Sequence, residues 1–207
     1  MSEKTKLCID KTAVEIVLKL MALAAHTAPK SFAMDCLEVE ISSESAKKSI
    51  VSTMRSLGEL KSASAKTDNK AKAISLDWSS DAEAIEKSDG ILLIGIRGTV
   101  APGVNCGACG FPSCAEMVTA PRAEGDFPGP FCMYRLLDLG IAVSSAVGVA
   151  ANHFLDNRMF QKVGIAAIKL NLLQCAPIIG IGVSSSAKNI FFDRKDKAIA
   201  ASLTKTE

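Results

Sequence analysis

Aromatic residues make up only 5% of the 207-residue chain, with one tryptophan and one tyrosine. Basic and acidic residues nearly cancel, 24 against 22, for a formal charge of +2. Without a basic field or a supply of stacking rings the chain lacks the means to grip a phosphate backbone, so no nucleic-acid partner is expected. Long apolar runs are also missing. An uncharged, largely apolar stretch, residues 139–154, contains His153, Asn152 and several Ser and Gly and is too short to span a bilayer, so no membrane partner is expected. The opening Met1-Ser2-Glu3-Lys4-Thr5-Lys6 is polar and unlike an apolar signal segment. Seven cysteines, an odd number without a secretory signal, argue for a reducing, cytoplasmic setting. No internal repeat, Ser/His/Asp arrangement or paired carboxylates stand out. Gly95-Ile96-Arg97-Gly98 lacks the further glycine and helix of a dinucleotide fingerprint. The two histidines, His26 and His153, fall at or near helix ends, where capping or hydrogen bonding is expected in place of metal ligation.

What the chain does have is a concentration of thiols. Val104-Asn105-Cys106-Gly107-Ala108-Cys109-Gly110-Phe111-Pro112-Ser113-Cys114 is answered by Pro128-Gly129-Pro130-Phe131-Cys132, so that gaps of two, four and seventeen residues separate four cysteines. A cuboidal iron–sulfur cluster takes one cysteine at each of four corners, so three can come from a tight turn and the last must return from elsewhere. Cys106, Cys109, Cys114 and Cys132 are therefore the candidate metal ligands. Gly107 and Gly110 are the candidate cofactor-binding glycines, free to take positive φ and turn backbone N–H groups toward the sulfurs. Zinc remains open, although structural zinc prefers two short-spaced pairs and Cys114 with Cys132 forms none. Disulfides, or a redox dithiol at Cys106 and Cys109, also remain open, against the company of the other two thiols. Cys8, Cys36 and Cys175 are expected to be ordinary buried or half-buried thiols.

A chain that is 48% hydrophobic and 22% charged can bury a sizeable core, and the elements it spells are mixed. Asp10 is placed to cap a helix over 11–26, with Val14, Val17, Leu18, Met21 and Ala25 on one face. Residues 36–41 alternate as a half-exposed strand, and a surface helix follows over 43–60. Residues 61–72 show no apolar period and are expected to be a loop or ragged helix end, leading to a short helix over 81–88. The apolar run 91–96 predicts a central strand buried on both faces. The cysteine segment begins just past it, where ligands gather in open α/β sheets. Within that segment Pro112-Ser113 is expected to start a helical turn carrying Cys114 and Met117. A long helix over 134–154 is rich in small residues, which predicts tight helix packing or the close approach of another backbone or a flat ligand. A turn at Asp156-Asn157-Arg158, a buried helix through Val163, Ala166, Ala167 and Leu170, a buried strand over 177–183, a short strand over 189–193 and a polar tail from Arg194 complete the chain. The predicted fold is α/β (α+β), one domain with a central sheet flanked by helices and carrying the metal loop. Its segments are 1–98, 99–135 and 136–207.

The cysteine segments, together with Asp138-Leu139-Gly140-Ile141-Ala142, Asp156-Asn157-Arg158 and Lys188-Asn189-Ile190-Phe191-Phe192-Asp193-Arg194, resemble the uncharacterised ferredoxin-domain proteins of anaerobic prokaryotes. The four-cysteine segment is also similar to the small 4Fe-4S domain of Rnf-type electron-transport B subunits and of corrinoid iron–sulfur proteins. These resemblances imply 4Fe-4S ligation by Cys106, Cys109, Cys114 and Cys132. Thr27-Ala28-Pro29 and the run Gly164-Ile165-Ala166-Ala167-Ile168-Lys169-Leu170-Asn171-Leu172 make the scaffold similar to the nitroreductase fold, which implies FMN as a second cofactor. The arginine-rich start that holds flavin phosphate in that fold is replaced here by Asp10-Lys11-Thr12. The expected function is electron transfer through a 4Fe-4S cluster, to and from a redox partner protein. Alternatives are a flavin-dependent oxidoreductase fed by the cluster and a structural or oxygen-sensing cluster protein. A homodimer is expected from the small-residue helix.

Overall fold

The computed structural model describes residues 11–192. In chain order the elements are α1 (Lys11–Thr27), a 3-10 turn (Ser31–Ala33), β1 (Leu37–Ile41), α2 (Glu44–Ala63), α3 (Asp68–Glu86), β2 (Gly90–Ile96), α4 (Cys114–Thr119), α5 (Met133–Asn152), β3 (Asp156–Phe160), α6 (Gln161–Lys169) and β4 (Ile178–Ser184). The strands form one sheet in the order β1-β2-β4-β3, with every neighbouring pair antiparallel. Helices cover both faces, as the order of elements read from the sequence predicted, in a three-layer arrangement.

Alternation along β2 divides its side chains between two cores. Leu92, Ile94 and Ile96 face α1 and α5, joining Leu18, Met21, Ala142, Ala146, Ile181 and Val183. Ile91 and Leu93 face α2, α3 and α6, joining Ile50, Met54, Trp78, Ile85, Phe160 and Val163. All seven residues of β2 are buried, so the strand over 91–96 is the central one expected. Each of its Leu and Ile side chains contributes about 1.5–3 kcal/mol of transfer free energy.

The small residues of α5 divide into two sets. Ala142, Ala146 and Ala150 are fully buried and let α1 approach closely, while a Cβ added at Gly140 or Gly148 would meet nothing within 4 Å. By length and apolarity α5 could cross a membrane, yet it packs here as a core helix with Arg135, Asp138 and five apolar residues buried. On the other layer α6 lies directly on β4. A Cβ at Gly164 would fall 1.7 Å from the Ile178 carbonyl oxygen, and one at Gly180 would fall 2.2 Å from Val163 Cγ1.

Several expectations are corrected. Residues 61–72 are mostly helical: α2 runs to Ala63, and α3 starts at Asp68, where Thr67 Oγ1 accepts from Lys70 N. The expected short helix is thus the last part of a nineteen-residue one. The physical reason is tertiary, since Trp78 packs against α2 so closely that a Cβ at Gly58 would lie 2.6 Å from Trp78 Cβ. Asp156-Asn157-Arg158 is the start of edge strand β3, not a turn. Asp156 pairs with Ser184 and Arg158 with Gly182. Residues 189–192 form no strand; Phe191 N instead bonds to Asn189 Oδ1 at 3.0 Å, a local turn. The expected Asp10 cap, Cys8, Asp193 and the tail from Arg194 lie outside the described residues. Because the sheet is antiparallel, the rule that ligands gather past the carboxyl ends of parallel strands has no sheet to act on.

Candidate metal centre

The segment that carries the cysteines leaves β2 through a firmly held corner. Arg97 N donates to Cys36 O at 2.9 Å and Gly98 N donates to Ala176 O at 3.0 Å. From there the backbone makes repeated excursions to positive φ, at Gly103 (81°), Asn105 (49°), Gly107 (73°) and Gly110 (87°). A Cβ at Gly107 or Gly110 would meet nothing within 4 Å, so glycine is needed there for its φ, not for space. Gly110 N donates to Gly107 O at 2.9 Å, closing a turn around Cys109.

Asn105 locks this turn to α4. Its Oδ1 accepts from Cys114 N at 2.8 Å, while its own N–H points at Cys114 Sγ at 3.4 Å. Asn tolerates the left-handed conformation better than other side chains do, so one residue supplies both the turn and the tie. Ser113 caps α4: its Oγ accepts from Glu116 N at 3.2 Å and lies 2.8 Å from Glu116 Oε1. This is the helical turn expected to begin at Pro112-Ser113, with Cys114 as its first residue.

The return segment is tied down separately. Arg122 donates to Pro130 O at 3.0 Å and to Val118 O at 2.5 Å, and Ala123 N donates to Gly129 O at 2.7 Å. Cys132 then stands at the N-cap of α5, its N–H donated to Gly98 O at 2.8 Å. The last cysteine is thereby brought to the exit of β2, where the first three begin.

All four cysteines line one partly enclosed depression, together with Asn105, Gly107, Phe111 and Met117. Cys106 is exposed, Cys109 and Cys114 are half-buried, and Cys132 is buried. All six cysteines among the described residues are free thiols, so the disulfide alternative is not realised there. Among the described residues no three His, Cys, Asp or Glu side chains converge closely enough to hold a metal ion. The thiols surround a hollow and do not meet at a point. Gly107 borders that hollow, whereas Gly110 acts on it through the turn it closes. Among the described hydrogen bonds the N–H aimed at a cysteine sulfur of this set belongs to Asn105, not to either glycine as the sequence suggested.

Behind Cys132, α5 is anchored by a charge pair that sequence reading did not single out. Arg135 and Asp138, exposed 0% and 1%, lie 3.2 Å apart. Asp138 Oδ1 accepts from Ser31 N at 2.9 Å and Ser31 Oγ at 2.7 Å. Arg135 donates to Ser31 O at 3.1 Å, to Met34 O at 3.3 Å and to Cys36 Sγ at 3.4 Å. Tyr134, also at the depression, stacks edge-on against Phe32 with centroids 5.1 Å apart. The signal was available: Arg135 and Asp138 share the core-facing side of α5 with Leu139, Ala142 and Ala146. Outside the depression, His153 Nδ1 lies 2.8 Å from Val149 O of its own helix, and Cys175 faces a separate cleft. Burial, and then the Glu38 carboxylate, push the Cys175 thiol up to about 12.

Comparison with known proteins meets this geometry at the same residues. A family model described as an Fe-S cluster matches residues 102–123, which hold the first three cysteines. A second, described as an uncharacterized protein containing a ferredoxin domain, matches residues 128–194 and so includes Cys132. A relative from Archaeoglobus fulgidus, described only as an uncharacterized protein, is 40% identical over 185 residues, 89% of this chain and 93% of its own. The chain belongs to this ferredoxin-domain family. As a member of the family it is an iron–sulfur protein. A shorter likeness links it to a component of the ion-translocating oxidoreductase complex of Rhodobacter capsulatus, 42% identical over 52 residues, which are 25% of this chain and 27% of that component. Two solved nitroreductases, each 14% identical, are also similar. Nitroreductase A of Vibrio parahaemolyticus has a TM-score of 0.48 and matches over 90% of this chain and 63% of its own. A nitroreductase with bound FMN from Desulfitobacterium hafniense has a TM-score of 0.49 and matches over 90% and 84%.

Proposed function

We propose that this family member is an electron-transfer protein holding a single 4Fe-4S cluster on Cys106, Cys109, Cys114 and Cys132. The observation that carries the reading is the gathering of four free thiols, from two separate chain segments, around one depression. Structural zinc favours two short-spaced cysteine pairs, and Cys114 with Cys132 forms none. A cuboidal cluster takes three cysteines from a tight turn and a fourth from elsewhere, and the family match over residues 102–123 is to an Fe-S cluster model. When bound, the cluster supplies one-electron redox chemistry.

The chain's own residues set the conditions for that chemistry. The Asn105 N–H directed at Cys114 Sγ offsets thiolate charge and favours the reduced state. Cys132, at the start of the twenty-residue α5, lies at the positive end of a helix dipole, which also favours thiolate. Phe111 and Met117 line the depression and keep part of it from water. The exposed Cys106 edge offers a redox partner protein its nearest approach, while Cys132 faces the interior.

Anaerobic purification followed by iron and sulfide analysis, with visible spectra before and after dithionite, tests the reading. About four irons and four sulfides per chain, with reversible bleaching, are expected. Zinc without sulfide would end it. A cluster that dithionite cannot reduce would turn the function toward a structural clamp, and fluorescence in the acid supernatant would report any flavin released with the cluster.

A further inference from the structure

A second hollow adjoins the thiol depression. Gly98 and Phe131 line it, and the next residue, Cys132, lines the depression and donates its N–H to Gly98 O at 2.8 Å. This cleft encloses about 490 Å³, within the range of roughly 300–1,000 Å³ typical of small-molecule sites. Its lining has two chemical characters. Phe131, Ile168 and Leu173 make an apolar wall, while Arg97 and Arg122 add two cationic residues to the same lining.

Those cations are not balanced from within. Among the described residues no Asp or Glu side chain lines the cleft. The Glu38 carboxylate does not line the cleft but reaches its rim, where it is engaged by two lining residues: its Oε2 accepts Gln174 N at 2.7 Å, and it also accepts from the Cys175 thiol. Cys175, which does line it, is a neutral thiol at ordinary pH because burial opposes its ionisation. Each guanidinium also keeps donors in reserve. It carries five N–H groups; Asp35 O takes one of Arg97's at 2.7 Å, and Pro130 O and Val118 O take two of Arg122's. The carbonyl contacts hold the arginines in place and leave charge and donors for a ligand. A planar guanidinium fork suits the oxygens of a carboxylate or a phosphate.

We propose that this cleft binds a small organic oxyanion, a carboxylate or phosphate carried on an apolar body. The anionic head pairs with Arg97 and Arg122, and the body lies against Phe131, Ile168 and Leu173. The proposal stands on the cleft alone and holds whatever metal the cysteines carry.

Isothermal titration of the full chain, purified with its iron, with benzoate and with phenyl phosphate tests it, using benzamide and phenol as neutral counterparts. Saturable binding of at least one anion is expected, with neither neutral compound competing. Arg97→Gln and Arg122→Gln should each weaken it by about tenfold or more, while Arg55→Gln, on a distant helix, should leave it unchanged. Tighter benzoate binding assigns a carboxylate head, and tighter phenyl phosphate binding a phosphate head. The proposal is overturned if neither anion saturates, if the neutral compounds bind as well, or if both variants bind like the parent. Should Arg122→Gln fail to fold, Arg97→Gln and the contrast of charged with neutral probes still decide.

Discussion

Asn105 and Cys114 hold each other twice, through Asn105 Oδ1 accepting Cys114 N at 2.8 Å and Asn105 N–H reaching Cys114 Sγ at 3.4 Å. The pair joins the glycine turn to α4, so the positions of three of the four cysteines depend on it. Asn105→Ala would lose the side-chain bond and place alanine at positive φ, a combined cost of about 2–3 kcal/mol. Asn105→Gly would lose only the bond. Cluster half-life under a chelator should therefore fall in the order parent, Gly variant, Ala variant; equal half-lives would show that the lock does not matter.

Removing ligands should separate the thiols cleanly. Cys132→Ala is expected to abolish stable iron incorporation, and Cys175→Ala, whose sulfur lines the other cleft, to leave iron per chain unchanged. Full iron in the Cys132 variant would mean that the fourth ligand lies elsewhere.

The buried pair Arg135 and Asp138 makes an asymmetric prediction. Asp138→Ala leaves a guanidinium at 0% exposure without its counter-charge, which should cost about 3–5 kcal/mol in urea unfolding of the holoprotein. Replacing both residues by apolar ones of similar size should cost much less. A double variant as damaged as the single one would show that the Ser31 and Met34 carbonyl contacts, not charge balance, hold α5.

Two glycines in helices should respond with opposite signs. Gly164→Ala drives a methyl to 1.7 Å from Ile178 O and should destabilise by about 3 kcal/mol or more as α6 is pushed off β4. Gly140→Ala faces open space on α5 and should stabilise by up to about 1 kcal/mol through helix propensity. Thermal unfolding of the two variants reads this directly.

Cys175 makes stability depend on alkaline pH. Its pKa is raised from 9.0 to about 12, first by burial and then by Glu38, so the folded chain keeps a proton that the unfolded chain releases. The stabilisation is complete below about pH 9 and is lost as pH rises toward 12. Cys175→Ala should flatten the pH dependence of unfolding over that window, and an unchanged slope would assign it to other groups.

Much of the site was readable in one dimension. The gaps between Cys106, Cys109 and Cys114 are short enough that spacing alone dictates a shared turn. The same holds for β2, whose unbroken apolar run has no good alternative to burial. By contrast, the first half of α3 reads as polar linker, because its helix is held by Thr67 capping and by Trp78 lying on Gly58 of α2. β3 reads as a turn because its partners are remote. Arg158 finds Asp81 at 3.0 Å across 77 residues, and Asp81 is held in turn by Lys162 at 2.7 Å. Asn105 stood in the motif, but its role depends on a contact with Cys114 that spacing does not express.

From its residues alone, then, this chain determines which sulfurs are present, how tightly three of them must turn together, and which strand lies at the centre, because each follows from local spacing and local hydrophobicity. Tertiary structure decided the antiparallel strand order, the polar edge strand, the buried Arg135–Asp138 anchor and the arrival of Cys132 beside Gly98. Those outcomes depend on contacts between distant segments, whose free energy appears only once the layers have packed.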